Sequence, residues 1–222
     1  MIHKDCQKDE AADFRVKKYQ LDFSVGLNLT GSAKVYVDRS ELKSYRFTLY
    51  HGYKVKQVTD QTGAALDFRR EYDYVTVTRG GAAVEYLCLE YTGKSPKYYS
   101  SYAGVCLPAN FAYYPIPGYR ELFSDNFYGF IDCSLPYDTA FDVRCSGRKQ
   151  MYCNLAARGD NHFAGNAHSI TLLSGYYDTL KLNDTLVVYP KYADTEIRAR
   201  IKKNMGTFTT VSYTHLTLPT TP

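Results

Sequence analysis

Hydrophobic and polar residues alternate along the first part of the chain. From Tyr19 to Leu29 the odd-numbered positions are apolar, and the even-numbered positions between them are polar or glycine. A period of two places the apolar side chains on one face of a β-strand, whereas a helix would scatter them around its circumference. The same alternation recurs at 33–37 and at 45–49. The pattern therefore predicts strands with one buried face.

Turn residues separate these runs, as in Thr30-Gly31-Ser32, His51-Gly52 and Gln61-Thr62-Gly63. Strands that recur about every 8 to 12 residues are typical of a β-sandwich or a barrel. The same patterning predicts further strands at 53–59, 65–69, 72–78, 84–91, 127–135, 140–145, 169–173, 176–182 and 185–189.

One segment near the end of the chain has a different period. Its apolar residues recur at every fourth position, with acidic residues in the first turn and basic residues in the last. That charge order complements the dipole of a helix, and Gly206 suits its C-terminal cap. We therefore expect a single connector helix, with an apolar stripe of Ala193, Ile197, Ile201 and Met205.

These patterns divide the chain into four parts. Residues 1–14 form a polar N-terminal extension, 15–190 form one large antiparallel β-sandwich, 191–206 form the connector helix, and 207–222 form a tail. The sequence from 209 to the end resembles translated sequencing adapter, and we interpret it as non-native and disordered. The predicted fold class is all-β with one C-terminal helix.

Composition supports a folded all-β domain. The 222 residues are 45% hydrophobic and include 23 tyrosines and 11 phenylalanines, which pack well in sheets. The net charge of +4 is spread along the chain, so no nucleic-acid partner is predicted. No apolar run approaches the roughly 20 residues of a membrane helix, and the N-terminus is not signal-like. We expect this chain to be soluble.

Six cysteines and five histidines show no metal-binding spacing. Without a CxxC pair, reduced thiols in the core are favoured over disulfides, which spacing alone does not exclude. Cys133 and Cys145 share the parity of buried strand positions. His162 and His168 are near enough in sequence to share a metal, but solvent-exposed histidines are the favoured interpretation. No cofactor is predicted for this chain.

The sequence also lacks the common catalytic motifs. There is no HExxH, in which two histidines hold zinc and a glutamate activates water, and no GxSxG elbow for a nucleophilic serine. A small hydrolase of unrecognised type remains an alternative. Arg158-Gly159-Asp160 spells the integrin-recognition tripeptide, but such a match arises by chance in roughly a few per cent of chains this long.

A tyrosine-rich stretch is the best candidate for a binding surface or the rim of a cleft. It contains Tyr98, Tyr99, Tyr113, Tyr114 and Tyr119. Exposed aromatic rings could stack on sugars, but the prolines among them favour a rigid, packed corner. Exposure of the rings would indicate a module that binds glycans or protein surfaces, and burial would indicate a structural role.

Taken in order, four blocks of the sequence resemble the N-terminal domain of the zinc aminopeptidase N family, also called alanyl aminopeptidases. Residues 19–37 resemble its opening hairpin, Y-x-L-x-F … L-x-G-x-A-x-V-x-V. Residues 90–102 are similar to its Y-x-G … G-x-Y-x-S-x-Y segment, 111–115 to its aromatic-proline corner, and 168–178 to its last long hairpin. The resemblance covers about 14–205.

This resemblance implies a non-catalytic domain that packs on the catalytic domain of the same protein and partly covers its peptide cleft. Zinc and the peptide substrate would then belong to that other domain. One departure is that Pro115-Ile116-Pro117-Gly118 stands where the family usually has Pro-Cys-x-Asp-Glu-Pro. That variant is more similar to the bacterial branch associated with ABC-transporter permeases, in which any contact with a membrane would come through the parent protein.

Two hypotheses of different class follow from the sequence. The first is the non-catalytic domain of a peptidase-like protein, and the alternative is a free-standing β-sandwich that binds glycans or protein surfaces. The exposure of the tyrosine stretch discriminates between them.

Overall fold

A computed structural model of the protein describes residues 8–101, 104–122, 133–182, 185–191, 195–196 and 198–204. Their regular secondary structure is β-strand, apart from one short helix over 195–196 and 198–204, which confirms the all-β class. The strands are β1 Val16–Val25, β2 Leu29–Val37, β3 Ser44–Thr48, β4 Tyr53–Thr59, β5 Phe68–Glu71, β6 Tyr74–Thr78, β7 Tyr86–Gly93, β8 Gly104–Leu107, β9 Ile116–Pro117, β10 Thr139–Gly147, β11 Met151–Cys153, β12 Ala156–Gly159, β13 His162–Ala167, β14 Leu172–Gly175, β15 Tyr177–Leu182 and β16 Thr185–Pro190.

The chain divides into two compact units, Met1–Gly175 and Tyr176–Pro222. The described strands of the first unit form three sheets. A seven-stranded sheet has the order β12-β13-β10-β1-β2-β7-β4, a four-stranded sheet has the order β5-β6-β3-β9, and a three-stranded sheet has the order β11-β14-β8. One cluster of buried side chains draws residues from all three sheets, for example Leu21, Phe47 and Leu172. This shared core is the basis of the sandwich.

Burial along β1 and β2 follows the sequence pattern. The odd positions from Tyr19 to Val25 are buried, and the even positions between them are half-buried or exposed. A register shift between Val16 and Lys18 explains why Val16, at an even position, is also buried. The alternation therefore identifies the core face correctly in the longest strands.

The hairpin that joins β1 and β2 departs from the pattern. Leu27 continues the apolar alternation in the sequence, yet it is 90% exposed, because the chain turns after Val25 and Gly26 donates a hydrogen bond to Asn28 O. The turn predicted at Thr30-Gly31-Ser32 lies instead within β2. Gly31 has another role there, since the ring of Tyr91 occupies the space that a Cβ would fill.

One pair in the seven-stranded sheet is parallel. β1 pairs with β10 from Lys18 and Ala140 to Val25 and Gly147, whereas a purely antiparallel sandwich was expected. Parallel neighbours need a long connection. The chain between β1 and β10 forms strands β2 to β9, which include every strand of the four-stranded sheet. Local alternation does not reveal strand direction, so the sequence pattern could not predict this pair.

The structure also corrects several element boundaries. The short strands β8, β9, β11, β12 and β13 were not predicted. The predicted strand at 127–135 lies mostly outside the described residues, and Cys133 and Leu135 at its end are buried but belong to no strand. The N-terminal segment is not wholly an extension, because Phe14 is buried and Glu10 pairs its backbone with Tyr119.

The second unit contains the β15–β16 hairpin and the helix. Arg198 on the helix lies 3.2 Å from Asp178 of β15 and donates a hydrogen bond to Lys191 O. Of the predicted apolar stripe, only Ile201 lies among the described residues, where it is half-buried. Ala193, Ile197, Met205 and the predicted tail lie outside the described residues. No helix in the described part of the chain is long and apolar enough to cross a membrane.

We expect Phe23→Asp to unfold the domain, because an unpaired carboxylate would be buried among core side chains at a cost of several kcal/mol. Asp22→Ala, on the exposed face of the same strand, should change the free energy of unfolding by less than about 0.5 kcal/mol. Urea denaturation followed by circular dichroism would measure both. If Asp22→Ala proved the damaging change, the assignment of the two faces would be wrong.

Candidate functional site

Two of the five candidate tyrosines lie in the core. Tyr113 and Tyr114 are fully buried, and both follow Phe111 in a corner that leads into β9. Tyr114 packs edge-on against Tyr19 of β1, with ring centroids 5.4 Å apart, and Tyr113 packs against Phe23 at 5.7 Å. These two rings therefore do not belong to an exposed row that could bind a sugar.

Hydroxyl groups fix this corner, which we call the tyrosine corner and define as residues 111–115. Tyr19 donates to Pro115 O at 2.8 Å, and Tyr91 donates to Tyr113 O at 2.9 Å. Tyr113 itself donates to Ile170 O at 2.9 Å. These three hydroxyls avoid the cost of burial without a partner, which is roughly 1–3 kcal/mol for each. The tyrosine corner is thus held by side chains of the seven-stranded sheet.

Burial changes the acidity of these phenols. Removal from water raises the pKa of Tyr19, Tyr91 and Tyr113 well above the ordinary value, and neighbouring tyrosines raise it further. Each of these side chains is therefore a neutral hydrogen-bond donor in the folded protein. None of them is placed to act as a general base.

The residues that follow the tyrosine corner take part in packing. Ile116 and Pro117 pair with Thr48 and Phe47 of β3, which closes the edge of the four-stranded sheet. Gly118 follows with a φ of 84°, and a Cβ there would lie 2.5 Å from Glu10 O. Only glycine adopts this backbone without strain while the N-terminal segment passes so close. The Pro-Ile-Pro-Gly sequence is therefore suited to packing.

The other three candidate tyrosines occupy two separate places. Tyr98 is 66% exposed and lies edge-on against the half-buried Tyr99, which in turn packs on Phe111. Tyr119 packs instead against Tyr74 and forms a 2.6 Å hydrogen bond with Thr76 Oγ1. Among the five, Tyr98 alone offers most of its ring to solvent. The five tyrosines therefore do not form one surface.

The histidines are held by separate partners. His162 Nε2 lies 2.9 Å from Asp142 Oδ1, whereas His168 Nδ1 lies 2.8 Å from Leu135 O. His51 pairs with the buried Asp73 at 2.9 Å. In the described part of the chain, no group of three or more His, Cys, Asp or Glu side chains could hold a metal ion. His3 and His215 lie outside the described residues.

The described cysteines are free, and Cys6 lies outside the described residues. Burial raises the pKa of Cys145 to about 12 and that of Cys153 to about 11. Both thiols are therefore protonated at neutral pH, whereas a catalytic cysteine needs the thiolate. Cys145 is only half-buried, and Cys133 is fully buried but outside any strand.

Two concave surfaces were not predicted from the sequence. One is a hollow of about 400 Å³ on the solvent face of the seven-stranded sheet, where Ser24, Thr30 and Ser32 are short and Glu90 and Arg144 are long. The other is a groove of about 500 Å³ beside the β1–β2 turn, which we call the Leu27 groove; it is lined by Val25, Leu27, Val105, Arg148 and Ser174 among others.

Sequence reasoning missed these surfaces because each combines residues from strands that are distant in the chain. Neither brings together a nucleophile, a base and a group that orients the base, which hydrolysis by a serine or cysteine enzyme would require.

We expect the folded protein to lose stability as the pH rises above about 10. The unfolded chain releases its phenolic protons there, whereas Tyr19, Tyr91 and Tyr113 retain theirs in the fold, so the unfolded state binds fewer protons and is favoured. Phenolate absorbance and circular dichroism recorded in one alkaline titration should show the buried phenols ionising together with unfolding. Smooth ionisation of every tyrosine in a chain that stays folded would contradict this.

Comparison with known proteins gives a match in structure alone. No protein-family model and no curated protein matches the sequence. An M1 zinc metallopeptidase from Deinococcus radiodurans, solved as its E323A mutant, matches 86% of this chain and 51% of its own with a TM-score of 0.54 and 14% identity. Yeast LTA4 hydrolase in complex with bestatin matches 81% of this chain and 32% of its own with a TM-score of 0.56 and 13% identity.

The chain thus spans about half the length of the first of these proteins and about a third of the second. At such low identity the likeness concerns the fold. In fold, the chain resembles the N-terminal β-domain of the M1 zinc metallopeptidases.

Proposed function

We propose that this chain is the non-catalytic N-terminal domain of a metallopeptidase-like protein, and that it packs on the catalytic domain and partly covers its peptide cleft. The observation that carries the proposal is the extent of the fold match. The match takes in 86% of this chain but only 51% of the Deinococcus radiodurans peptidase. A domain of this size and fold accounts for the part of such a protein that precedes the catalytic half.

The chemistry of the chain favours a non-catalytic, structural role. Its sequence has no HExxH, and the described residues hold no metal-ligand cluster. Its half-buried thiols Cys145 and Cys153 are protonated, and the buried hydroxyls of Tyr19 and Tyr91 donate to backbone carbonyls. In this proposal zinc and the peptide substrate belong to the catalytic domain, and the sandwich acts by rigid packing.

The Leu27 groove offers a surface for that packing. Leu27 is 90% exposed at the tip of the hairpin, which for a large apolar side chain leaves most of its area in water. Arg148 and Lys149 add positive charge to the lining of the groove. A domain that follows in the same protein would cover the groove and bury Leu27.

The parent protein, in the same proposal, is of the bacterial kind that is associated with ABC-transporter permeases. The support is the Pro-Ile-Pro-Gly sequence at 115–118, where ordinary aminopeptidases have Pro-Cys-x-Asp-Glu-Pro. This chain would then meet a membrane only through its parent. The free-standing glycan-binding alternative loses its main support, since Tyr113 and Tyr114 are buried.

The gene tests the proposal directly. An uninterrupted genomic copy should continue past codon 208 into a domain with HExxH or a degenerate form of it, and the permease branch predicts membrane helices in the same reading frame. Sequencing across this position from the source DNA would show the outcome. A stop codon near codon 208, with no membrane span in the frame, would overturn the proposal.

The purified chain should bind no stoichiometric zinc and should not hydrolyse aminoacyl anilides, because three protein ligands and a catalytic glutamate are needed for that chemistry. Elemental analysis after dialysis against zinc, together with an anilide assay, measures both properties. A two-domain M1 peptidase prepared in parallel is the positive control. One zinc per chain with turnover would show that this chain is an enzyme.

A further inference from the structure

The hairpin formed by β12 and β13 carries the Arg158-Gly159-Asp160 tripeptide at its tip. Gly159 is the last residue of β12, Asp160 and Asn161 form the turn, and His162 begins β13. Arg158, Gly159 and Asp160 are all exposed. The strand β12 is the edge of the seven-stranded sheet, so the tip lies at a border of the sheet.

The hairpin is anchored below its tip. Ala157 pairs with Phe163, whose side chain is buried in the core, and β13 pairs along its whole length with β10. At the turn, Cys145 donates a backbone hydrogen bond to Asn161 O at 2.9 Å. Asn161 has a φ of 53°, a conformation that asparagine tolerates better than most residues. An anchored tip loses little conformational freedom when it binds a partner.

The two charges of the tripeptide remain available. The backbone is irregular here, because the pairing of β12 with β13 shifts register between Ala157 and Gly159. Within the described residues, neither side chain forms an ion pair or a hydrogen bond. Small neighbours at Ala156 and Ala157 leave the approach to Arg158 open.

We propose that this tip is a docking site for a receptor of the integrin type, which presents a divalent cation beside an acidic pocket. The Asp160 carboxylate would enter the coordination shell of the cation, since hard cations prefer carboxylate oxygens. The Arg158 guanidinium would pair with carboxylates of the pocket, and Gly159 allows the two surfaces to approach closely. The proposal does not depend on a peptidase-like parent.

The sequence alone gives no reason to prefer this role, because the tripeptide is common by chance. The structure adds an independent observation, which is an exposed and anchored turn that leaves both charges without partners in the described chain. A chance tripeptide in a buried strand, or one whose arginine and aspartate paired with neighbours, would have no such capacity.

The test uses the full chain immobilised on a surface, with the purified ectodomain of an RGD-recognising integrin as the probe in manganese buffer. We expect saturable binding that chelation by EDTA abolishes and that a short linear Arg-Gly-Asp peptide competes away. Binding that persists in EDTA, or the absence of binding in manganese, would overturn the proposal.

Matched variants separate the tip from general charge. Asp160→Glu keeps the charge but moves the carboxylate by one methylene, and should weaken binding by about tenfold or more. Asp22→Glu makes the same change on the exposed face of β1 and should leave binding unaltered. Equal melting temperatures would show that both variants are folded. If Asp160→Glu bound as well as the unchanged protein, the tripeptide would not be the site.

Discussion

Buried tyrosine hydroxyls that donate to backbone carbonyls are the interaction on which the rest of this structure depends. The tyrosine corner is irregular backbone inside the core, and its carbonyl groups have few partners in a regular sheet. Tyr19 of β1 and Tyr91 of β7 supply donors to it, and Tyr113 passes a third to Ile170. Because the corner leads into β9, these bonds connect the seven-stranded sheet to the four-stranded one. Loss of a donor would leave a buried carbonyl unsatisfied and loosen that connection.

In this arrangement Tyr19, Tyr91 and Tyr113 each fill space in the core and donate one hydrogen bond. A tyrosine has a ring large enough to fill the space between sheets and a hydroxyl that reaches one carbonyl on the far side. Gly31 is part of the same packing, since it makes room for the ring of Tyr91. Two of the aromatic residues that suggest a sugar platform in the sequence, Tyr113 and Tyr114, lie in the core, which weakens the case for a glycan-binding module.

How far the sequence predicted the structure depended on the element. Long strands such as β1, β2 and β4 were predictable, because their apolar residues alternate and one face is buried. The strands β12 and β13 were not, because alanine, glycine, asparagine and histidine give no apolar alternation. Tyr113 and Tyr114 are neighbours in the sequence and are both buried. Alternation could not predict this, because successive side chains of a strand point to opposite faces. Leu27 shows the opposite error. It continues the apolar alternation of β1 in the sequence, but it lies in the turn after the strand and is exposed.

The parallel pairing of β1 with β10 has a consequence for how the domain is made. Strand β1 leaves the ribosome more than a hundred residues before β10. One edge of β1 therefore has no partner while most of the domain is being synthesised. An unpaired edge in a chain rich in apolar strands is prone to associate with other chains. Pairing over such a sequence separation also makes closure of the sheet slow. Nascent chains that stop before β10 should therefore depend on chaperones more than the finished domain does.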